Sequence, residues 1–256
     1  KKTAKFDGSS AFAFHFRTDE YTKMQKGFTM ECMMKLDSEG NPFSDQESAG
    51  AGFELNSDGK TLEFWSRHGG NYKKPTAQID TAKWVHAAAT YDGSVLKLYV
   101  NGKLKDVISA PDQWVIPEDG AKYFFIGSDT NKNGEIQNAV KGEIASARIY
   151  SRALTIGEIT KLYWKEAKTV ISVAGDASFT AVRGTSYAIP KASAQIAATG
   201  DSSAKVTEEV RDSKGNTVAL NNHKFTVTDT AYTITYKANN AELKKEIKVQ
   251  EPAAPS

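Results

Sequence analysis

Short strand-like stretches separated by turns rich in Gly and Asn constrain this chain more than any other feature of its sequence. They read "AKFDG", "AFAFHF", "FTMECMMKL", "GAGFEL", "TLEFWSR", "TAQID", "WVHAAATY", "LKLYVNG", "KYFFIG" and "EIASARIY", and all end by residue 150. Breaks such as "NSDGK", "YDGS", "NGK" and "NKNG" supply residues that tolerate the positive φ of tight hairpins. So many short strands joined by hairpin turns, with almost no helix between them, predict an all-β fold, an antiparallel β-sandwich or jelly roll.

One stretch departs from this pattern, "KGEIASARIYSRALTIGEITKLY" at 141–163. Thr155 followed three residues later by Glu158 is a capping-box pattern, and Ile156, Ile159, Leu162 and Tyr163 recur at helical spacing. The spacing predicts one short helix over 156–163 that faces the sheets and closes one end of the first core. Arg148, Arg152 and Glu158 then read as strand-end and cap residues, not as a site. A second run of short alternating strands starts near Lys168 and includes "TVISVAG", "AKVTEEVRD" and "FTVTDTAYTITYKANN". Its length and strand spacing suit an Ig-like β-sandwich without the Cys-Trp-Cys core of antibody domains. The expected organisation is a first domain over 1–166, an Ig-like domain over 167–251 and a tail or linker at 252–256.

Composition excludes several classes of partner. Lys and Arg number 33 against 31 Asp and Glu, a net charge of +2 with both signs scattered, so no field draws in nucleic acid or an anionic membrane. No apolar run approaches the ~18 residues of a membrane span, and "KKTAKFDG" has none of the character of a signal peptide. The expectation is a piece of a larger exported protein, extracellular or at the cell surface. The single cysteine, Cys32, precludes an internal disulfide or a multi-cysteine zinc site, and its alternation with Phe28, Met30 and Met34 assigns it to the core.

The order "FDGSSAFAF", "FTMECMMKL", "GFELNSDGKTLEFW", "WVHAAATYDGSVLKLYVNGKLK", "FIGSD" and "VKGEIASARIYSRALTIGEITKLY" resembles the laminin-G-like group of the concanavalin A-like lectin/glucanase superfamily over roughly residues 3–164. The resemblance implies a concanavalin A-like jelly roll in which Trp84, Val85, Tyr91, Leu96, Leu98 and Val100 fill the space between sheets. Residues 168–250 are similar to bacterial Ig-like repeats, which act as spacers. Together the two resemblances imply an ancillary region of a secreted or wall-attached bacterial protein, packed beside other domains of the same polypeptide.

Catalysis is not expected. Glucanases of the superfamily set three acidic residues on one strand as E-x-D-x-E, so that all project into the sugar cleft, and no such triplet occurs here. Glu54 and Glu63 stand singly on separate strands. His15, His68, His86 and His223 are far apart, and no H-E-x-x-H, G-x-S-x-G or P-loop pattern is present.

Two kinds of site remain. Relatives in the resembled group bind Ca²⁺ through carboxylate and carbonyl oxygens. The candidate ligands are Asp7 and, in the EF-hand-like opening "DTNKNG", Asp129, Asn131 and Asn133; Val140 stands where that loop needs its glutamate, and a plain polar hairpin is the alternative. Relatives often carry an acidic residue where this chain has Ala145, which removes one ligand. A glycan or glycoconjugate needs an exposed aromatic ring with polar groups at its rim. "EFWSRHGGNY" offers Trp65, Arg67, His68, Asn71 and Tyr72 within one strand-loop-strand unit. Strand alternation sends one of Phe64 and Trp65 inward and the other out. Trp114, in a Pro-containing loop, is expected to anchor that loop to the core. The leading expectation is a carbohydrate-binding module on an Ig-like spacer; the alternative is a pair of structural or protein-docking modules.

Overall fold

The computed structural model describes residues 3–46, 49–117, 123–131, 133–174 and 177–253, so residues 254–256 of the expected tail lie outside the described residues. The chain divides into two compact units, Lys1–Glu166 and Ala167–Ser256. In the first, the elements run β1 (Ala4–Asp7), β2 (Phe12–His15), α1 (Thr18–Met24), β3 (Phe28–Leu36), β4 (Gly40–Asp45), β5 (Ala51–Leu55), β6 (Thr61–His68), β7 (Asn71–Lys73) and β8 (Thr76–Gln78). They continue with β9 (Val85–Tyr91), β10 (Val95–Val100), β11 (Lys103–Ser109), β12 (Tyr123–Ile126), β13 (Asp129–Thr130), β14 (Ile136–Gln137), β15 (Lys141–Tyr150) and α2 (Ile156–Ala167).

Two antiparallel sheets face each other. A six-stranded sheet has the order β1-β15-β3-β9-β10-β11, and a seven-stranded sheet has β2-β12-β4-β5-β6-β7 with β8 also paired to β6. The turns form as the residue types demand: Asn101 (φ 51°) and Gly102 (φ 73°) make the tight hairpin between β10 and β11. Alternation fills the core. Phe28, Met30, Cys32 and Met34 of β3 meet Phe43, Phe53, Leu62, Phe64 and Phe124 from the other sheet. Val85, Tyr91, Leu96, Leu98 and Val100 join them, whereas Trp84 is only partly buried and stands outside that cluster. Burial, and then the neighbouring Glu31, push the Cys32 thiol well up, which leaves it an inert core group.

Both helices depart from expectation. Helix α1 was not foreseen; it starts where Glu20 Oε2 accepts from the Arg17 N–H at 2.8 Å, and Tyr21 and Met24, three residues apart, fill the core. Helix α2 does begin with the expected reciprocal cap, in which Glu158 Oε2 accepts from Thr155 N at 2.8 Å and Thr155 Oγ1 accepts from Glu158 N at 3.3 Å. It then runs to Ala167 rather than stopping at 163. Ile159 and Tyr163 are buried but Ile156 is 54% exposed. Leu154 and Ile159 cluster with Ala88 and Tyr99, whose strand neighbours Ala87, Ala89 and Leu98 face the main core. Therefore α2 covers the outer face of the six-stranded sheet, not an end of the core.

The second unit contains β16 (Thr169–Val173), β17 (Thr180–Val182), β18 (Ser186–Ala188), β19 (Ala192–Ile196), β20 (Thr207–Asp212), β21 (Lys224–Thr226), β22 (Ala231–Ala238) and β23 (Ala241–Gln250). A four-stranded sheet runs β17-β23-β22-β20, with β17 parallel to β23, and two strand pairs, β16-β19 and β18-β21, complete it. Tyr187, Val210, Phe225, Tyr232, Ile234, Tyr236 and Ile247 form its core.

Candidate functional site

Strand β6 divides its residues by parity. Leu62, Phe64, Ser66 and His68 are buried, while Glu63, Trp65 and Arg67 lie on the opposite, partly exposed face. Pairing then assembles a patch around Trp65. Gly52 of β5 lies in register opposite Trp65, and Tyr72 of β7 lies opposite Arg67. The Tyr72 ring meets the indole edge-on at 5.6 Å, with the Arg67 guanidinium carbon 5.9 Å from the Tyr72 ring centre. Lys74 Nζ sits over the indole at 4.0 Å and lies 3.8 Å from a Glu63 carboxylate oxygen.

The far side of this patch depends on a glycine. A Cβ at Gly52 would fall 2.1 Å from Ser44 Cβ and 2.8 Å from Gln46 Nε2, so Ser44 and Gln46 occupy the space that any larger residue would need. Tyr72 ties the same corner down by donating its hydroxyl to the Gln46 carbonyl at 3.0 Å. Two N–H groups here, Trp65 Nε1 and Gln46 Nε2, are buried and have no hydrogen-bond partner among the described residues. A buried donor without an acceptor is costly, and a ligand oxygen or a water removes that cost.

Of the residues expected to bind a ligand, Trp65, Arg67 and Tyr72 are brought together, and Phe64 and Trp65 separate to the two faces as alternation requires. His68 does not join them. Three positions from Trp65 along a strand is an odd step, and its imidazole points inward, fully buried, 2.9 Å from Ser66 Oγ and 3.1 Å from the Asp112 carbonyl, with the Tyr91 ring at 4.5 Å. Burial holds its pKa below the ordinary value, so it is a neutral core histidine. Asn71 is exposed but lies in register opposite His68, not opposite Trp65. Trp114 is the expected anchor: it is fully buried and donates Nε1 to the Gly50 carbonyl at 2.9 Å. Sequence reasoning missed Lys74, Gln46 and Gly52, for which residue type alone carried no signal.

Glu54 and Glu63, apart in sequence, are cross-strand partners on this same face. Burial, then Glu63, then Asp129 raise the Glu54 pKa. Glu63 also accepts from Asn56 Nδ2 at 3.1 Å. Glu54 opens onto a polar cleft of about 480 Å³ that Glu39, Asn56, Asp58 and Asn138 also line.

Of the expected calcium ligands, Asp7, Asp129 and Asn131 have a side-chain oxygen engaged within the chain, while Asn133 takes part through its backbone N–H. Asp7 Oδ1 accepts from the N–H and hydroxyl of both Ser9 and Ser10 at 2.9 to 3.1 Å, and these bonds, the Ser9 N–H first, hold its carboxyl down at about 2. Asp129 Oδ1 accepts from Ser44 Oγ at 2.7 Å and Gln46 N at 3.0 Å. Asn131 Oδ1 accepts from the backbone N–H groups of Asn133 and Glu135 at 2.9 and 3.0 Å, so its side-chain oxygen is turned onto its own loop. Calcium takes six to eight oxygen ligands, whereas these oxygens face N–H and O–H donors. Among the described residues no three His, Cys, Asp or Glu side chains converge as a metal site. As they stand, these groups do not fit a calcium cage.

The family described as the concanavalin A-like lectin/glucanases superfamily matches residues 7–160. No curated protein sequence matches the chain. Among solved structures, the module CBM40 of the Ruminococcus gnavus IT-sialidase is 14% identical with a TM-score of 0.52, covering 64% of this chain and 97% of its own; it has also been solved bound to α2,3-sialyllactose. The binding domain of botulinum neurotoxin DC, solved in complex with SialylT, is 13% identical with a TM-score of 0.52 over 94% of this chain and 64% of that one. A Bacteroides ovatus protein provisionally described as carbohydrate-binding is 19% identical with a TM-score of 0.48, over 62% of this chain and 45% of that one. The chain thus spans less than two thirds of the last two. At these identities the likeness is one of fold.

Proposed function

This chain belongs to the concanavalin A-like lectin/glucanases superfamily, and we propose that its first unit is a non-catalytic carbohydrate-binding module. The observation that carries the reading is the Trp65 face, where one strand register gathers an indole, a phenol, a guanidinium and an ammonium on a partly exposed sheet surface. An aromatic ring rimmed by polar groups is what a pyranose requires, with its apolar C–H face on the ring and its hydroxyls at the rim. The structural neighbours support the class of ligand, since the R. gnavus module has been solved bound to α2,3-sialyllactose. The absence of an E-x-D-x-E triplet from the sequence supports a binding role over hydrolysis.

The second unit is proposed as an Ig-like spacer. Tyr232, at the start of β22, accepts at its hydroxyl from the backbone N–H of Thr228 at 2.8 Å and of Asp229 at 2.7 Å, an upstream tie of the kind that marks the tyrosine corner of Ig-like sandwiches. The pair would then hold a larger exported protein on glycans outside the cell. No helix among the described residues is long and apolar enough to cross a membrane. A protein-docking role draws less support, because the exposed large apolar residues among the described residues of the first unit, Phe12, Tyr72, Leu104, Val107, Ile136 and Ile156, fall on five different elements.

A broad glycan array probed with the purified chain, the Trp65→Ala variant and the Tyr72→Ala variant tests this. Retention of a defined sugar class by the parent chain and its loss in both variants is the expected result. Unchanged retention in the variants would move the site elsewhere, and no retention by a folded parent chain would overturn the reading.

A further inference from the structure

We propose that Lys74 gates the stacking surface of Trp65: a bound sugar takes the place of the ammonium on the indole, and the ammonium is received by Glu63 and Glu54. This rests on the carbohydrate-binding reading above and names the residue that sets its strength. Lys74 Nζ sits 4.0 Å from the centre of the indole ring. At that height the ammonium occupies the layer that the C–H face of a pyranose would take on the same ring. Sugar and ammonium cannot share it. Tyr72 meets an edge of the indole at 5.6 Å and Trp65 Nε1 is buried, so the ring is presented by its face and not by its rim.

The carboxylates beside the ring supply the second position. Lys74 follows β7 by one residue, and its side chain, 42% exposed, places the ammonium over the indole and 3.8 Å from a Glu63 carboxylate oxygen. Glu63 is paired across the strands with Glu54 on the same face. Burial, then Glu63, then Asp129 raise the Glu54 pKa, while Lys74 opposes them. Movement of the ammonium from the ring towards Glu54 therefore relieves a repulsion between neighbouring carboxylates. A cation–π contact at a partly exposed site is weak, and rotation of an exposed lysine is fast, so little holds the ammonium on the ring once a sugar competes for it. The consequence reverses what residue type alone suggests. A lysine beside an aromatic ring reads as a donor to the sugar, whereas here it opposes binding, and Glu54 favours binding from a distance.

The test uses the full chain in four forms: the parent, Lys74→Ala, Glu54→Gln and the double variant. Each is applied over a range of concentrations to a glycan array with lactose and cellotetraose among its neutral probes. Lys74→Ala should reach half-saturation at about two- to fivefold lower concentration, the change that corresponds to losing the competing cation–π contact. Glu54→Gln should need about twofold more, and should change nothing once Lys74 is already alanine. A further measurement needs no sugar. The emission of each chain minus that of its Trp65→Phe counterpart isolates the ring, and acrylamide should quench that difference more strongly in Lys74→Ala than in the parent. Equal quenching, or an affinity that is unchanged or lower in Lys74→Ala, overturns the gate. An equal loss from Glu54→Gln in both backgrounds makes Glu54 a direct sugar contact and overturns its part. Each of these results leaves carbohydrate binding standing, whereas retention of no glycan by any of the four chains overturns both.

Discussion

Each sheet of the first unit carries polar groups on the face turned away from the core, and the two sheets treat those groups in opposite ways. On the six-stranded sheet, Glu31 of β3 accepts from Arg148 of β15 at 2.5 Å and lies 3.0 Å from His86 Nε2 of β9, while Arg148 reaches on to Glu166 of α2 at 2.7 Å. The side chains of Glu31 and His86 have no exposed surface, and α2 brings the Tyr163 ring to 6.0 Å from the imidazole. Burial opposes the Glu31 charge, yet His86 and Arg148 hold its carboxyl below the ordinary value. On the seven-stranded sheet, Trp65, Arg67 and Tyr72 are covered by side chains of their own hairpin and by no helix among the described residues. The same residue types serve two ends. Beneath α2, an Arg–Glu network fastens an element in place; on the partly exposed face, an arginine lies beside an aromatic pair at the surface.

That contrast can be broken most directly by cutting one arginine on each face. Arg148→Ala leaves the fully buried Glu31 without its guanidinium, and should cost about 3 kcal/mol or more in the unfolding of the first unit. Arg67→Ala should cost less than about 1 kcal/mol. Denaturant titration followed by tryptophan fluorescence reads both, and similar losses would show that the two faces do not differ in kind. Trp65→Ala sharpens the same point from the other side: glycan affinity falls about tenfold or more while the unfolding midpoint barely moves.

A smaller effect separates two buried carboxyls by pH. Because Glu31 titrates below its ordinary value when folded, it contributes stability above 4.5 that is lost as pH falls through its folded value. Asp45 behaves in the opposite sense. Burial pushes its pKa well up, while Tyr21 bonds its Oδ2, so the group stabilises the fold in its neutral form and that contribution is lost as pH rises. Melting curves across pH should therefore show Asp45→Asn gaining on the parent chain towards high pH, and Glu31→Gln losing ground to it above 4.5 and converging below. Parallel curves for the two variants would refute the assignment. The smallest expected effect is that of calcium: with the oxygens of Asp7, Asp129 and Asn131 already facing donors, added Ca²⁺ or a chelator should leave the melting temperature unchanged.

Much of this was legible along the chain. The alternation in "TLEFWSRH" sent Phe64 in and Trp65 out, "YVNG" made its hairpin, and Thr155 with Glu158 capped the helix that the spacing announced. The same alternation would have excluded His68, since residues three apart on a strand face opposite sides. Helix α1 was hidden because seven residues carry only two core contacts, Tyr21 and Met24, at helical spacing. Nothing local indicated that α2 would lie on a sheet face, because that depends on Ala88 and Tyr99 being small or apolar on the side of β9 and β10 away from the core.

By itself, then, the sequence determined the class of fold, the turns and the side of each strand on which a residue emerges, because φ, ψ and the two-residue period are local properties of the backbone. Tertiary structure decided which residues meet. Strand register sets Gly52 opposite Trp65 and Glu54 opposite Glu63, and Lys74 and Gln46, one residue beyond β7 and β4, reach the patch from those strand ends. Register is set by long-range pairing of the buried faces, and a shift of one residue would have dispersed the patch while leaving every strand in the sequence unchanged.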